Sequence, residues 1–193
     1  MLEVHGLNQF YGESHTLWDV NLTLEKGDFV CLMGRNGVGK TTLLRTIMGL
    51  LPAASGSVRL EGEELLGQKA HVRARRGIGY VPQGRDIFGQ LTVEENLRIG
   101  LCAGRTSSSD VVSRVLEYFP ALRAALRRRG GDLSGGQQQQ LAIGRALVLE
   151  PKLLILDEPT EGIQPNVVHG IGDLLLRLNR ELGLTVLIVE QKL

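Results

Sequence analysis

The sequence predicts an α/β fold in which a mostly parallel sheet carries crossover helices. Three observations point there. The apolar run Phe29–Met33 passes through a glycine-rich turn at 34–39 into a helix-forming stretch at 40–48, the strand, loop and helix order of a parallel crossover unit. A second apolar run, 153–156, closes on Asp157 and Glu158. A third, 184–189, follows residues 165–181, where Val167, Val168, Ile171, Leu174, Leu175 and Leu178 recur at helical spacing.

Taken in order, residues 2–7 read as a short strand. Residues 18–24 alternate apolar Trp18, Val20, Leu22 and Leu24 with polar Asp19, Asn21 and Thr23, which predicts a strand with one wet face. A turn at 25–28 leads to 29–33, whose unbroken apolar character suits a strand buried in a parallel sheet. The helix after the glycine turn should stop near Gly49, ahead of Pro52. Residues 55–60 and 77–81 are further strands. Between them the basic stretch 71–76 reads as the solvated face of a short helix, with phosphate contact as the alternative. From 91 to 149 the pattern is mostly helical. Thr92 caps a helix with Glu94 and Glu95 in its first turn, Asp110 caps another that ends before Pro120, and the loop at 127–131 precedes the last. The triple arginine of that loop reads as a solubilising feature.

At 193 residues the chain can build one substantial core, or one core with a small appended subdomain. The formal net charge of +1 provides no global field to recruit nucleic acid or an anionic membrane, so such a partner would need a local patch. Cys31 and Cys102 supply neither a disulfide framework nor a metal site and suit a reducing cytosol. The first residues lack the basic and apolar regions of a secretory signal, and no apolar run reaches the about eighteen residues that span a bilayer. The chain is therefore expected not to enter a membrane by itself.

Chemistry concentrates in three segments. In Gly34-Arg-Asn-Gly-Val-Gly-Lys-Thr41 the glycines let the backbone curl until several N–H groups face one anion. The next helix adds the positive end of its dipole, Lys40 reaches outer phosphates, and Thr41 offers a hydroxyl to Mg²⁺. Strand ends in parallel sheets open onto the ligand crevice, so Asp157 and Glu158 would face that nucleotide. Asp157 can hold Mg²⁺ and Glu158 can take a proton from an attacking water. Asp132-Leu-Ser-Gly-Gly-Gln137 places a serine and two glycines at a helix start, either an anion nest or a plain helix cap.

Together these residues resemble a known family. Residues 34–41 resemble a Walker A loop, 153–158 a Walker B strand, and 133–137 the signature of ABC transporter nucleotide-binding subunits. Tyr80-Val-Pro-Gln83 resembles the Q-loop. The resemblance covers essentially the whole chain. It implies a P-loop NTPase (RecA-like) fold: a mostly parallel sheet with flanking helices, an antiparallel β subdomain and an inserted helical subdomain. The nucleotide-binding core would comprise 1–84 and 151–193, the helical block 85–150.

The resemblance also implies ATP and Mg²⁺ as ligands. Gly34, Asn36, Gly37, Gly39, Lys40, Thr41 and Thr42 would surround the phosphates. Tyr11 would stack on adenine; read alone, it is equally a half-buried tyrosine at a strand end. Thr41, Gln83 and Asp157 would serve the metal. Glu158 would be the base, with Lys40, Gln83 and Gln191 also in the catalytic group. Ser134, Gly135, Gly136 and Gln137 would close over the γ-phosphate held by a second subunit, so that two chains sandwich two ATP molecules. The implied partners are a second ATPase subunit, a transmembrane permease and, indirectly, a periplasmic solute-binding protein, with no nucleic acid; the implied location is the cytoplasmic face of the inner membrane. Ile87, Phe88 and Leu91 lie where the family docks its permease, burial in the helical block being the alternative.

Two departures narrow the branch. Glu161-Gly-Ile-Gln164 stands where many members have Ser-Ala-Leu-Asp, and Glu190-Gln191 where many have a switch histidine. A glutamine amide can hydrogen-bond a phosphate but does not titrate near neutral pH, which leaves Glu158 as the favoured base. The chain also stops at Leu193, where family members usually continue with further strands and helices. Glu161-Gly-Ile163, Val189-Glu-Gln191 and 82–88 resemble the ATPase subunits of branched-chain amino-acid and urea or amide importers. Segments 34–39 and 129–140 are closer to the urea group. The expected solute is thus urea or a short amide, with branched-chain amino acids as the alternative, on resemblance alone. A soluble ATPase acting on nucleic acid would instead need two cassettes, a coiled-coil insertion or a basic stripe, none of which the sequence contains.

Overall fold

The structure, a computed structural model, describes residues 1–102 and 109–191. Strands β1 (Leu2–Tyr11) and β2 (Ser14–Leu24) form a hairpin and β3 (Phe29–Met33) follows. Then come α1 (Lys40–Ile47), β4 (Ser55–Leu60), β5 (Glu63–Glu64), α2 (Ala70–Arg75) and β6 (Ile78–Val81). The helices α3 (Val93–Leu101), α4 (Ser109–Glu117), α5 (Pro120–Ala124) and α6 (Gly135–Leu147) precede β7 (Leu153–Asp157), α7 (Pro165–Leu182) and β8 (Thr185–Glu190). The first sheet is antiparallel in the order β2-β1-β4-β5; the second is parallel in the order β3-β8-β7-β6.

Strand alternation assigns the two faces of the parallel sheet to different cores. Leu154, Leu156, Val186 and Ile188 face α7 and the helical block, where Leu97, Phe119, Leu141 and Ile143 join Ile171, Leu175 and Leu178 in one apolar cluster. Leu153, Ile155, Leu187 and Val189 face α1 and the antiparallel sheet, packing with Leu43, Leu44, Ile47, Leu2, Val4 and Val58. Each such fully buried aliphatic side chain contributes about 1.5–3 kcal/mol of transfer free energy. The helices between β6 and β7 thus share a continuous core with the sheet. Thr92 caps α3 in a capping box with Glu95, as its sequence context leads one to expect.

Four expectations need correction. Trp18 is 69% exposed, not on the core face. Asp19 has φ 45°, in the left-handed region, and the pairing of β1 with β2 slips register beside it. This bulge reverses the alternation, so Leu17 is buried while Trp18 turns outward, stacks on His15 at 3.7 Å and donates from Nε1 to the His15 carbonyl. Second, among the described residues β3 is paired on one side only, with β8, and Cys31 and Met33 are exposed. An apolar run reports hydrophobicity but not the number of neighbouring strands.

Third, the stretch 71–76 is helical, yet Arg73 is only 3% exposed. Its Nη1 donates to the carbonyls of Thr46 and Ile47, capping the end of α1 where helix carbonyls lack partners, and burial holds its guanidinium below its usual range. Finally, α4 begins at Ser109, so Asp110 lies within its first turn rather than capping it. Among the described residues, no helix is long and apolar enough to cross a membrane.

Candidate functional site

The carboxyl end of β3, the start of α1 and the ends of β7 and β8 converge on one edge of the parallel sheet. Gly39 makes the turn into α1 with φ 94°; a Cβ there would lie 3.1 Å from Leu17 Cδ2 and 3.3 Å from the Thr16 carbonyl oxygen. Only glycine meets both the dihedral and the space. Gly39 caps α1 without any side-chain hydrogen bond, so the N–H groups of the first turn have no side-chain acceptor and are available to an anion. Lys40 folds back over its own loop. Its Nζ donates to the carbonyls of Gly34 at 2.7 Å and Arg35 at 3.0 Å and lies 3.6 Å from Glu158 Oε1. Both members of that ion pair are about nine-tenths buried.

Asp157 is wholly buried at the end of β7. Thr41 Oγ1 donates to its Oδ1 at 3.0 Å and the Tyr80 hydroxyl to its Oδ2 at 3.3 Å. Burial pushes the Asp157 carboxyl up, against the opposing hydroxyl donors, and burial likewise pushes the Tyr80 phenol above its usual range. Glu158 follows with φ 46°, its N–H donating to the Val189 carbonyl at 2.8 Å. Gln83 Nε2 donates to Glu161 Oε2 at 2.9 Å and to Glu158 Oε2 at 3.4 Å. The turn after Glu158 is fixed by Thr160, whose N–H and hydroxyl both donate to Glu190 Oε1, at 3.1 and 2.8 Å.

A cavity of about 370 Å³ opens above these groups, lined by Tyr11, Thr16, Asn36, Gly37, Gly39, Lys40, Thr41, Thr42, Gln83 and Glu158. The structure thus gathers most of the expected residues in one place, with Asp157 beneath them through Thr41 and Gly34 bound to Lys40. Tyr11 is 47% exposed at the mouth. Gln191 is exposed beyond β8 and does not line the cavity. Ser134, Gly135, Gly136 and Gln137 open α6 elsewhere on the chain. There Ser134 Oγ accepts from the Gln137 N–H at 3.4 Å and Gln137 Oε1 accepts from the Ser134 N–H at 3.1 Å, so within this chain the segment acts as a helix cap. Gly136 also admits α7, since a Cβ there would sit 2.5 Å from Val167 Cγ1. Of the three docking candidates, Ile87 packs partly into the core, Leu91 is half-buried and Phe88 is exposed, with the Arg145 guanidinium 4.5 Å from its ring centroid.

The donor set fits a hard divalent cation. Thr41 Oγ1, Asp157 and the Gln83 amide oxygen are all oxygen ligands of the kind Mg²⁺ accepts, and the buried Asp157 carboxylate is met by the hydroxyls of Thr41 and Tyr80. Such a cation, when bound, supplies charge neutralisation to phosphate oxygens.

Sequence reasoning named Tyr80 and Glu190 only as members of motifs and gave neither a role; Tyr80 lies opposite Ile155 in the sheet register and Glu190 closes an apolar strand. Burial, and to a lesser degree the charge of Glu158, raises the Glu190 carboxyl. A raised folded value means that this group favours the native state at low pH and that the benefit is lost as pH rises through it. Glu190→Gln keeps an acceptor for Thr160, so it is expected to raise the neutral-pH melting temperature by about 2–4 °C, with the gain vanishing below about pH 4. Melting curves across pH check this.

The family model for ABC transporters matches residues 17–161. The chain is 46% identical over 192 residues to the high-affinity branched-chain amino acid transport ATP-binding protein BraG of Pseudomonas aeruginosa, covering 99% of this chain and 82% of that protein. It is 42% identical to the probable branched-chain amino acid transport ATP-binding protein LivF of Archaeoglobus fulgidus, covering 99% and 81%. Among solved structures, the ADP conformation of MJ1267, an ATP-binding cassette of an ABC transporter, superposes with a TM-score of 0.86 at 31% identity, covering 100% of this chain and 82% of that one. The dimeric post-hydrolysis state of the cassette MJ0796, bound to ADP and Pi, gives 0.88 at 29% identity, covering 100% and 88%.

Proposed function

With the chain a member of the ABC transporter family, as one of its ATP-binding subunits, we propose that it hydrolyses Mg·ATP to power an importer. The observation that carries this is the convergence of Lys40, Thr41 and Glu158 on one cavity, over Asp157. Water attacks the γ-phosphorus in line and gives its proton to the Glu158 carboxylate while the bond to the ADP oxygen breaks. Lys40 and the N-terminus of α1 neutralise phosphate charge, Thr41, Asp157 and Gln83 would hold Mg²⁺, and Tyr11 stacks on adenine. Gln191, exposed beyond β8, would offer its amide to the γ-phosphate.

Two copies close around two nucleotides, with Ser134 and the glycines of α6 from one copy meeting the phosphates of the other. The dimeric form of the solved cassette bound to ADP and Pi supports that arrangement. The partners are a second such subunit and a membrane permease fed by a periplasmic solute-binding protein, and the subunit sits on the cytoplasmic face of the inner membrane. For the solute, the names of the two relatives support a branched-chain amino acid. Urea or a short amide rests on the resemblance of 34–39 and 129–140 alone. Phosphate release by the purified chain, with and without membranes carrying its permease and each loaded binding protein, tests this reading: ATP-dependent release stimulated by one solute class supports it, and no release under any condition sinks it.

A further inference from the structure

Gln83 commits its amide nitrogen to acids. Nε2 donates to Glu161 Oε2 at 2.9 Å and, less closely, to Glu158 Oε2 at 3.4 Å. An amide carries two donor hydrogens on one end and an acceptor oxygen on the other, and it reverses by a simple rotation. Reversed here, Oε1 would face two anionic oxygens at those same distances and both attractions would become repulsions. The carboxylates therefore decide which end of Gln83 is left for the cavity.

They are not equivalent holders. Glu158 is also paired with Lys40 and is the proposed base, so its charge is committed elsewhere during a turnover. Glu161 makes the closer contact from a braced turn: its N–H donates to the Glu158 carbonyl at 3.1 Å, and Thr160 beside it is held twice by Glu190. A serine at position 161, as in the common family pattern, is too short to make this contact.

We propose that Glu161 is a positioning residue for Gln83, holding the amide with Oε1 free for the cation and phosphate end of the nucleotide. This rests on the reading of the chain as a Mg·ATP hydrolase. Without Glu161 the amide samples both orientations, and one of them points donors at a cation.

The test is Mg²⁺-dependent binding of a fluorescent ATP analogue to the purified chain, alongside phosphate release. Because Glu161 is exposed, its substitution should leave the fold intact. Glu161→Ala is expected to raise the Mg²⁺ concentration for half-maximal binding about five- to tenfold, the scale of the net contribution of one hydrogen bond. Glu161→Gln, which retains an acceptor, should stay within about twofold of wild type. In a Gln83→Ala background, Glu161→Ala should add no further loss, because its effect runs through the missing amide. Losses that add, a Glu161→Gln variant as impaired as Glu161→Ala, or a Glu161→Ala variant equal to wild type would each overturn the proposal. Glu161→Ser repeats the measurement should the alanine variant express poorly. A wild-type chain that neither binds nor hydrolyses Mg·ATP would bring down the ATPase reading itself, a result distinct from the other three.

Discussion

Glu158→Gln is expected to bind ATP more tightly than wild type while releasing phosphate at least about 100-fold more slowly. The slowing follows from removing the group placed to take the proton of the attacking water, since a positioned general base contributes about 10²–10⁴ in rate. The tightening follows from charge. Glu158 lies 3.6 Å from Lys40 and lines the cavity, so its carboxylate both occupies the lysine and repels incoming phosphates. The amide is nearly the same shape and keeps an acceptor for Gln83, so the geometry persists while the like charge disappears. Equilibrium nucleotide binding, single-turnover phosphate release and size-exclusion chromatography with ATP together read the outcome, which should include an accumulated dimer. Turnover at the wild-type rate would place the base elsewhere.

Lys40→Ala should lose nucleotide affinity by about 100-fold or more and also destabilise the empty protein by about 3 kcal/mol, the cost of leaving one member of a buried ion pair without its partner. Glu158 is about nine-tenths buried, and the lysine opposite it is its ion-pair partner. For a chain of this length the loss corresponds to a fall in melting temperature of about 6–12 °C. The double variant Lys40→Ala with Glu158→Gln separates the two effects. It should recover most of the stability, because no unpaired carboxylate remains, yet recover no binding, because the lysine that meets the phosphates is still missing. Calorimetry and nucleotide titration of the three variants check this; equal stability of the single and double variants would mean that the ion pair contributes nothing to the fold.

Much of the cavity was legible because its parts are close in sequence. The loop from Gly34 to Thr41 gathers its candidate phosphate contacts within eight consecutive residues, and a parallel strand that ends in acids places them at the crevice. The cap at Thr92 and the stop at Gly49 are likewise local. Trp18 was misplaced because a single residue in the left-handed region at Asp19 shifts the phase of an otherwise regular alternation. Arg73 was misplaced because a basic stretch does not reveal that the end of α1 lies over one of its members.

The sequence by itself determined the chemistry at the crevice: which oxygens, which lysine and which bare N–H groups are offered to a nucleotide. These follow from residue type and short spacing. Only the tertiary structure decided that β3 pairs with β8, that Tyr80 donates to Asp157 across 77 positions, and that Gln83 is held by Glu161 across 78. Such contacts depend on strand order and register, which arise when the two apolar faces of the sheet are covered together, and no local periodicity encodes them.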